Sequence, residues 1–351
     1  MSSSPALRVA VVGATGAVGS AMLRLLRERG WVGGRASEIV PFASERSVGR
    51  ELDGGLVVVP LSDETIQGFD IALFSAGATR SREWAPRFVQ AGAVVVDNSS
   101  AFRMDDAVPL VVSEVNPEAL DAHNGIVANP NCTTMVAMLP LKALHDEFHL
   151  RAIVPTSFQA AGGAGQKGID ELSDQIAPLH ADVGQLCDDG AAAAAKVGHE
   201  VHAATLAFNV VPLLGTRGEE GYTDEELKLR NESRKILGIP DLAVSPTCVR
   251  VPVMVGHGVE VRATFARPVD LDRALEVLRA FPNLVVDDVP TPLAYAGRDE
   301  VAVGRVRRDL TDPCSLNFFV VGDNLLKGAA LNTVQLAEVL EERGLVGARV
   351  S

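Results

Sequence analysis

Gly13, Gly16 and Gly19 stand three residues apart in GATGAVG, and no other feature of the chain constrains its fold as much. The β-rich run LRVAVVG precedes them. The helical pattern AVGSAMLRLLRERG follows, with arginines toward its C-terminal end, where the helix dipole favours cations. Further on, EIVPFAS and FDIALFSA read as strands, REWAPRFVQAG as a helix and AVVVDNSS as another strand. Strands alternating with helices predict a parallel sheet covered on both faces, here in a first unit ending near Ala128. The apolar stretch after Arg8 is expected to be a strand, turn and helix rather than a secretory segment, because three glycines interrupt it and its helical part continues into RLLRERG.

The glycines also predict a ligand. Gly13 allows the tight turn after the strand, Gly16 lets the backbone approach a pyrophosphate, and Gly19 permits close helix packing. Thr15, Ala17 and Val18 belong to the same turn, where helix N-terminal N–H groups face the phosphates. The spacing is GxxGxxG rather than GxGxxG, and a glycine-rich turn without a ligand is the alternative. After the second strand, an NAD site usually has an acidic residue for the ribose hydroxyls. Here ASERSVGR offers Ser44, Arg46 and Ser47, a cation and two hydroxyls suited to a 2′-phosphate, with Glu45 dissenting. The expected cofactor is therefore NADP.

The second half differs in character. TTMVAMLPLKALHDEF predicts a helix beginning near Cys132, with Pro140 marking a kink or junction. LRAIVPTSFQA, CVRVPVMVGHGVEVRATFA, VAVGRVRRDL and SLNFFVVGD read as longer, alternating strands. With the helices GIDELSDQIA and LDRALEVLRAF they predict an α+β domain built on a mixed sheet with helices on one side. CDDGAAAAAKVGHE reads as a surface helix or loop, and the 183–207 stretch stays unassigned. The tail NLLKGAALNTVQLAEVLEERG reads as an amphipathic helix with Leu325, Ala329, Val334, Leu336 and Leu340 on its apolar face.

At 351 residues the chain is long for one core and suits two domains. Its net charge of −13, spread along the chain, argues against a nucleic-acid surface. No run approaches the ~18 apolar residues that a membrane span needs. Cys132, Cys187, Cys248 and Cys314 lie far apart without a CxxC pair, so neither a metal site nor a disulfide framework is expected, and a cytoplasmic location fits. Cys132 follows Asn131 and opens a helix, whose N-terminal N–H groups favour a thiolate. A thiolate there adds to an aldehyde, and the hemithioacetal can give up hydride to leave a thioester that phosphate cleaves. A buried structural thiol is the alternative, and it is the reading for the other three cysteines.

NPNCTT taken with GATGAVG resembles aspartate-semialdehyde dehydrogenase, and DNSSAFR, SFQAAGGAG, TDEELK, CVRVPVMVGHG and GDNLLKGAALNTVQ match that family in order along nearly the whole chain. The resemblance implies a Rossmann-type NADP-binding domain of residues 1–130 with 324–351, and a catalytic and dimerisation domain of residues 131–323. It implies a homodimer that reduces L-aspartyl 4-phosphate with NADPH to the semialdehyde and inorganic phosphate, on the route to lysine, threonine, methionine and diaminopimelate. By position, Cys132 is the thioester nucleophile, His257 the general acid/base and Gln159 the residue orienting the substrate. Arg250, Glu225 and Asn131 bind substrate, Arg250 holding its carboxylate and Glu225 its ammonium. Arg103 and Lys228 bind phosphate, although Glu225 and Lys228 are also spaced for an exposed i,i+3 salt bridge. Gly162, Gly163 and Asn324 meet the cofactor, with Gly162 standing where the family often has serine.

Two other readings compete. N-acetyl-glutamyl-phosphate reductase shares the architecture, but its cysteine motif more often reads NPGC followed by an aromatic residue, and an acylated amine leaves Glu225 no charge to pair with. The SCTTN context of glyceraldehyde-phosphate dehydrogenase is absent. A non-catalytic nucleotide-binding relative would be expected to lack the cysteine or the histidine, and both are present.

Overall fold

The computed structural model describes residues 6–218 and 220–346. The chain divides into two compact units, one running to Asn131 and resuming at Gly328, the other spanning Cys132–Lys327.

The first unit contains β1 (Leu7–Val12), α1 (Ala17–Glu28), β2 (Ala36–Phe42), a small hairpin of β3 (Glu51–Leu52) and β4 (Leu56–Val57), β5 (Ile71–Phe74), α2 (Ala78–Gln90), β6 (Val94–Asp97) and β7 (Ile126–Ala128). Five of these strands form one parallel sheet in the order β2-β1-β5-β6-β7. β5 and β6 are buried along their whole length, as strands covered on both faces must be. Phe42, Phe69, Phe74 and Phe88 pack beside the sheet with ring centroids 5.3–6.1 Å apart. The chain passes from β1 to β2 on one side and then to β5 on the other, so the strand order reverses between β1 and β5. Ligands of open α/β sheets bind outside the carboxyl ends of the strands at such a point.

The second unit opens with α3 (Cys132–Phe148), which runs unbroken through Pro140. The kink or junction expected there does not interrupt the helix. Most of α3 is buried against β8, β11, β13 and β14, and packing of this kind outweighs local propensity. β8 (Leu150–Gln159) leads to α4 (Gln166–His180), α5 (Val183–Asp188), α6 (Gly190–Ala194) and α7 (Asp224–Leu237). Then come β9 (Ala243–Val244), β10 (Thr247–Arg250), β11 (His257–Phe265), α8 (Leu271–Ala280), β12 (Leu284–Val286), α9 (Pro292–Tyr295), β13 (Val301–Arg308) and β14 (Ser315–Gly322). The sheet is mixed, in the order β10-β8-β11-β14-β13-β12, with β9 also on β8. CVRVPVMVGHGVEVRATFA, expected as one strand, is two. Pro252 and Gly256, the latter at φ +98°, turn the chain from a parallel neighbour of β8 to an antiparallel one. The alanine-rich segment forms α5 and α6, whose first turns are capped by the Asp182 and Asp189 carboxylates.

After a π-helical turn at Leu326–Ala330, α10 (Leu331–Glu342) returns to the first unit and packs on α1, β5 and β6. The one-sided amphipathic helix expected from the sequence is instead buried nearly all round, including Asn332 and Thr333. Its outer turns are tied down by Glu338, which accepts from Arg29 at 2.7 and 2.9 Å.

Candidate active site

In the first unit β1, β2 and β5 end together, with Val12 in register with Phe42 and Phe74. Gly13 turns at φ +90°, and a Cβ there would lie 2.3 Å from the Ser75 carbonyl oxygen. A Cβ on Gly19 would lie 2.1 Å from the Gly13 oxygen, so α1 approaches the turn as closely as it does only because both residues are glycine. Gly16 is exposed and caps α1 without a side-chain bond. Thr15, Ala17 and Val18 beside it are half-buried, and the uncapped first turn of α1 faces outward as a phosphate cradle requires. Ser44, Arg46 and Ser47 form a single 3₁₀ turn directly after β2. Arg46 is exposed, with no hydrogen bond or ion pair among the described residues.

In the second unit the chemistry gathers at the C-terminal ends of β8 and β10. Cys132 is the first residue of α3, and its Sγ lies 3.3 Å from His257 Nε2. His257 begins β11 and is fully buried. Its Nδ1 accepts the backbone N–H of Ala160 at 3.0 Å. The neutral ring therefore carries its proton on Nε2, facing the sulfur. Burial, and then the Arg250 charge, hold the imidazole pKa down to about 3. Arg250 donates from Nη1 to the Ala160 carbonyl at 2.7 Å. One backbone residue thus orients both the imidazole and the guanidinium. Burial lowers the Arg250 pKa, opposed by the negative charges of Cys132 and Glu225 nearby.

Gln159 pairs with Arg250 across β8 and β10, is buried, and donates to Ser157 Oγ at 3.2 Å. Gly162 and Gly163 lie in a 3₁₀ turn after β8. A Cβ on Gly163 would lie 2.7 Å from Arg250 Nη1 and 3.2 Å from His257 Cε1, so this glycine borders both side chains directly. Asn324 is buried, and its Oδ1 accepts from the Gly256 amide at 2.8 Å. Its Nδ2 has no hydrogen-bond partner among the described residues and lies 3.6 Å from where a Gly162 Cβ would stand. An orphaned amide donor beside a residue lacking a side chain fits the carboxamide of a nicotinamide. Lys228 is held by Asp224 and Glu225 at 2.8 and 3.1 Å, the intrahelical salt bridge that its spacing allowed, and its pKa is raised despite burial. Burial pushes the Cys248 thiol up to about 12, which leaves it inert, whereas Cys187 is exposed rather than structural.

Arg103 and Asn131, both buried, belong to the first unit. Arg103 donates to the carbonyls of Asn129 and Asn98, each at 2.9 Å. Ala160 escaped sequence reasoning, because it acts only through its backbone and carries no side-chain signature.

Residues 8–123 match the family described as semialdehyde dehydrogenase, NAD binding domain, and residues 141–327 its dimerisation domain. The aspartate-semialdehyde dehydrogenase of Streptomyces akiyoshiensis is 50% identical over 95% of this chain and 98% of its own length. That of Bacillus subtilis is 39% identical over 97% and 99%. Among solved structures, aspartate semialdehyde dehydrogenase II of Vibrio cholerae complexed with ASA superposes with a TM-score of 0.88 at 39% identity, covering 97% of this chain and 99% of that one. The Candida albicans enzyme with NADP shares the fold, with a TM-score of 0.72 at 24% identity over 97% and 99%.

Proposed function

The chain belongs to the aspartate-semialdehyde dehydrogenase family, and from that membership we propose how its own residues carry out the NADP-dependent, reversible reductive dephosphorylation of L-aspartyl 4-phosphate. The observation that carries the reading is the 3.3 Å approach of Cys132 Sγ to His257 Nε2 at the first residue of a helix. In the biosynthetic direction the Cys132 thiolate attacks the acyl carbon, and phosphate departs with the electron pair of the broken C–O bond. A thioester remains. Bound NADPH supplies the hydride that reduces it. His257 exchanges a proton with the hemithioacetal oxygen through Nε2, and collapse of that adduct returns the thiolate and frees the aldehyde.

Arg250, fixed by the Ala160 carbonyl, binds the substrate carboxylate, and Glu225 binds its ammonium. Gln159 and Asn131 orient the substrate. Arg103 receives the phosphate, and Lys228 joins it by exchanging a carboxylate partner for the incoming anion. Gly13, Thr15, Gly16, Ala17 and Val18 cradle the pyrophosphate, and Ser44, Arg46 and Ser47 take the 2′-phosphate. Gly162, Gly163 and Asn324 meet the nicotinamide. The match to a dimerisation domain supports a homodimer. Inorganic phosphate is the co-substrate, with no part for nucleic acid or membrane, and four cysteines that form no disulfide among the described residues suit the cytoplasm. The test is phosphate-dependent reduction of NADP by aspartate semialdehyde. Loss of that reduction in Cys132→Ser is expected, and an inactive wild type would overturn the reading.

A further inference from the structure

We propose that Asn332 of the returning helix α10 is a positioning residue for Arg103, and so sets the affinity for phosphate; this rests on Arg103 being the phosphate ligand. Asn332 is fully buried and its amide is satisfied on every side. Its Nδ2 donates to the Val111 carbonyl at 3.0 Å and to Asn129 Oδ1 at 2.6 Å. Its Oδ1 accepts from the Ser113 backbone N–H at 3.1 Å and the Ser113 hydroxyl at 3.2 Å. One backbone acceptor and one backbone donor therefore decide which way this amide faces.

The orientation passes along the network. Because Asn332 presents an NH₂ group, Asn129 must turn its Oδ1 toward it. That leaves Asn129 Nδ2 to donate to Asn98 Oδ1 at 2.7 Å. The two residues whose side chains are locked in this way, Asn98 and Asn129, are the same two whose carbonyls hold the Arg103 guanidinium. Asn332 and Asn129 are fully buried and Asn98 half-buried, and hydrogen bonds linked through a buried core in this way are stiff, so that moving one member displaces the next. α10 thus closes the first unit and also holds the guanidinium in place from behind. No residue but asparagine supplies two donors and one acceptor at this reach. Asn332→Asp keeps the shape but sets an oxygen against two acceptors, the Val111 carbonyl and Asn129 Oδ1.

The experiment measures phosphate KM in the oxidative direction for wild type, Asn332→Asp, Arg103→Lys and the double variant. KM for NADP and for aspartate semialdehyde, kcat and Tm are recorded alongside. Asn332→Asp is expected to raise phosphate KM about tenfold, roughly 1.4 kcal/mol, with the other two KM values within about twofold. In the Arg103→Lys background it should add nothing further, because both changes act through one guanidinium. A merely structural role would lower Tm and shift all parameters in both backgrounds. Phosphate KM unchanged in Asn332→Asp but raised in Arg103→Lys would overturn the positioning role and leave the reading of Arg103 intact. Phosphate KM unchanged in Arg103→Lys would overturn that reading itself. Should Asn332→Asp not fold, Ser113→Ala removes one hydroxyl bond from the same amide, and unchanged phosphate KM there would likewise sink the proposal.

Discussion

Gly163→Ala should cripple use of the aldehyde, and should weigh on it more heavily than on use of the cofactor that Gly163 also borders. Gly163 lies outside the left-handed region of backbone space, so alanine adds no backbone strain. The added methyl would fall 2.7 Å from Arg250 Nη1, and ordinary contact begins at 3.4 Å, so the guanidinium must retreat by roughly 0.7 Å. It is half-buried and bonded to the Ala160 carbonyl at 2.7 Å, and a retreat of that size along the bond takes it past ordinary hydrogen-bond length. His257 blocks the other side, with Cε1 and Nε2 at 3.2 and 3.3 Å from the same methyl. Losing a hydrogen bond from a charged group costs about 1.5–3 kcal/mol, a fall of roughly 10- to 150-fold in kcat/KM for aspartate semialdehyde. The assay is steady-state NADP reduction with aldehyde varied at saturating phosphate. Gly162→Ala is the control, since its methyl would face the Met254 carbonyl and Asn324 Nδ2 and should burden NADP KM instead. A folded Gly163→Ala enzyme with kcat/KM within about threefold of wild type would refute the argument.

Other outcomes follow from the same geometry. Cys132→Ser should lose turnover on the order of 10⁴-fold while retaining NADP binding by fluorescence titration. Arg46→Ala should raise NADP KM about tenfold and leave NAD KM unchanged, and equal effects on both cofactors would remove Arg46 from the 2′-phosphate site. The pKa of His257 is about 3 in the folded chain against 6.5 when free, so in that window the unfolded state binds a proton that the folded state does not. Stability should therefore rise with pH from about 3 to 6.5 and gain nothing from this group above that. Urea titrations should show a shallower slope across this window in His257→Gln, and an unchanged slope would show that the imidazole is not buried neutral.

What the sequence determined by itself was the architecture. GATGAVG between a strand and a helix, followed by further strand–helix alternation, led to the five-stranded parallel sheet, and the longer alternating strands led to the mixed one. These are local properties: side-chain periodicity and glycine stereochemistry act over a few adjacent residues, so a linear text carries them. Cys132 at a helix start was legible for the same reason. Other features existed only after folding. The break at 251–256 divides one apolar run into β10 and β11, because β8 has two open edges to fill. α10 looked one-sided and is buried all round, because α1 and the sheet cover the face that its polar residues suggested was wet. The i,i+3 ion pair of Glu225 and Lys228, which their spacing favoured over a ligand role, does form within α7, and only the structure shows that it is partly buried rather than exposed. Ala160 holds His257 with its N–H and Arg250 with its carbonyl, although alanine has no chemistry of its own to announce. Backbone groups are the same at every position, so what they do is decided by where tertiary packing puts them.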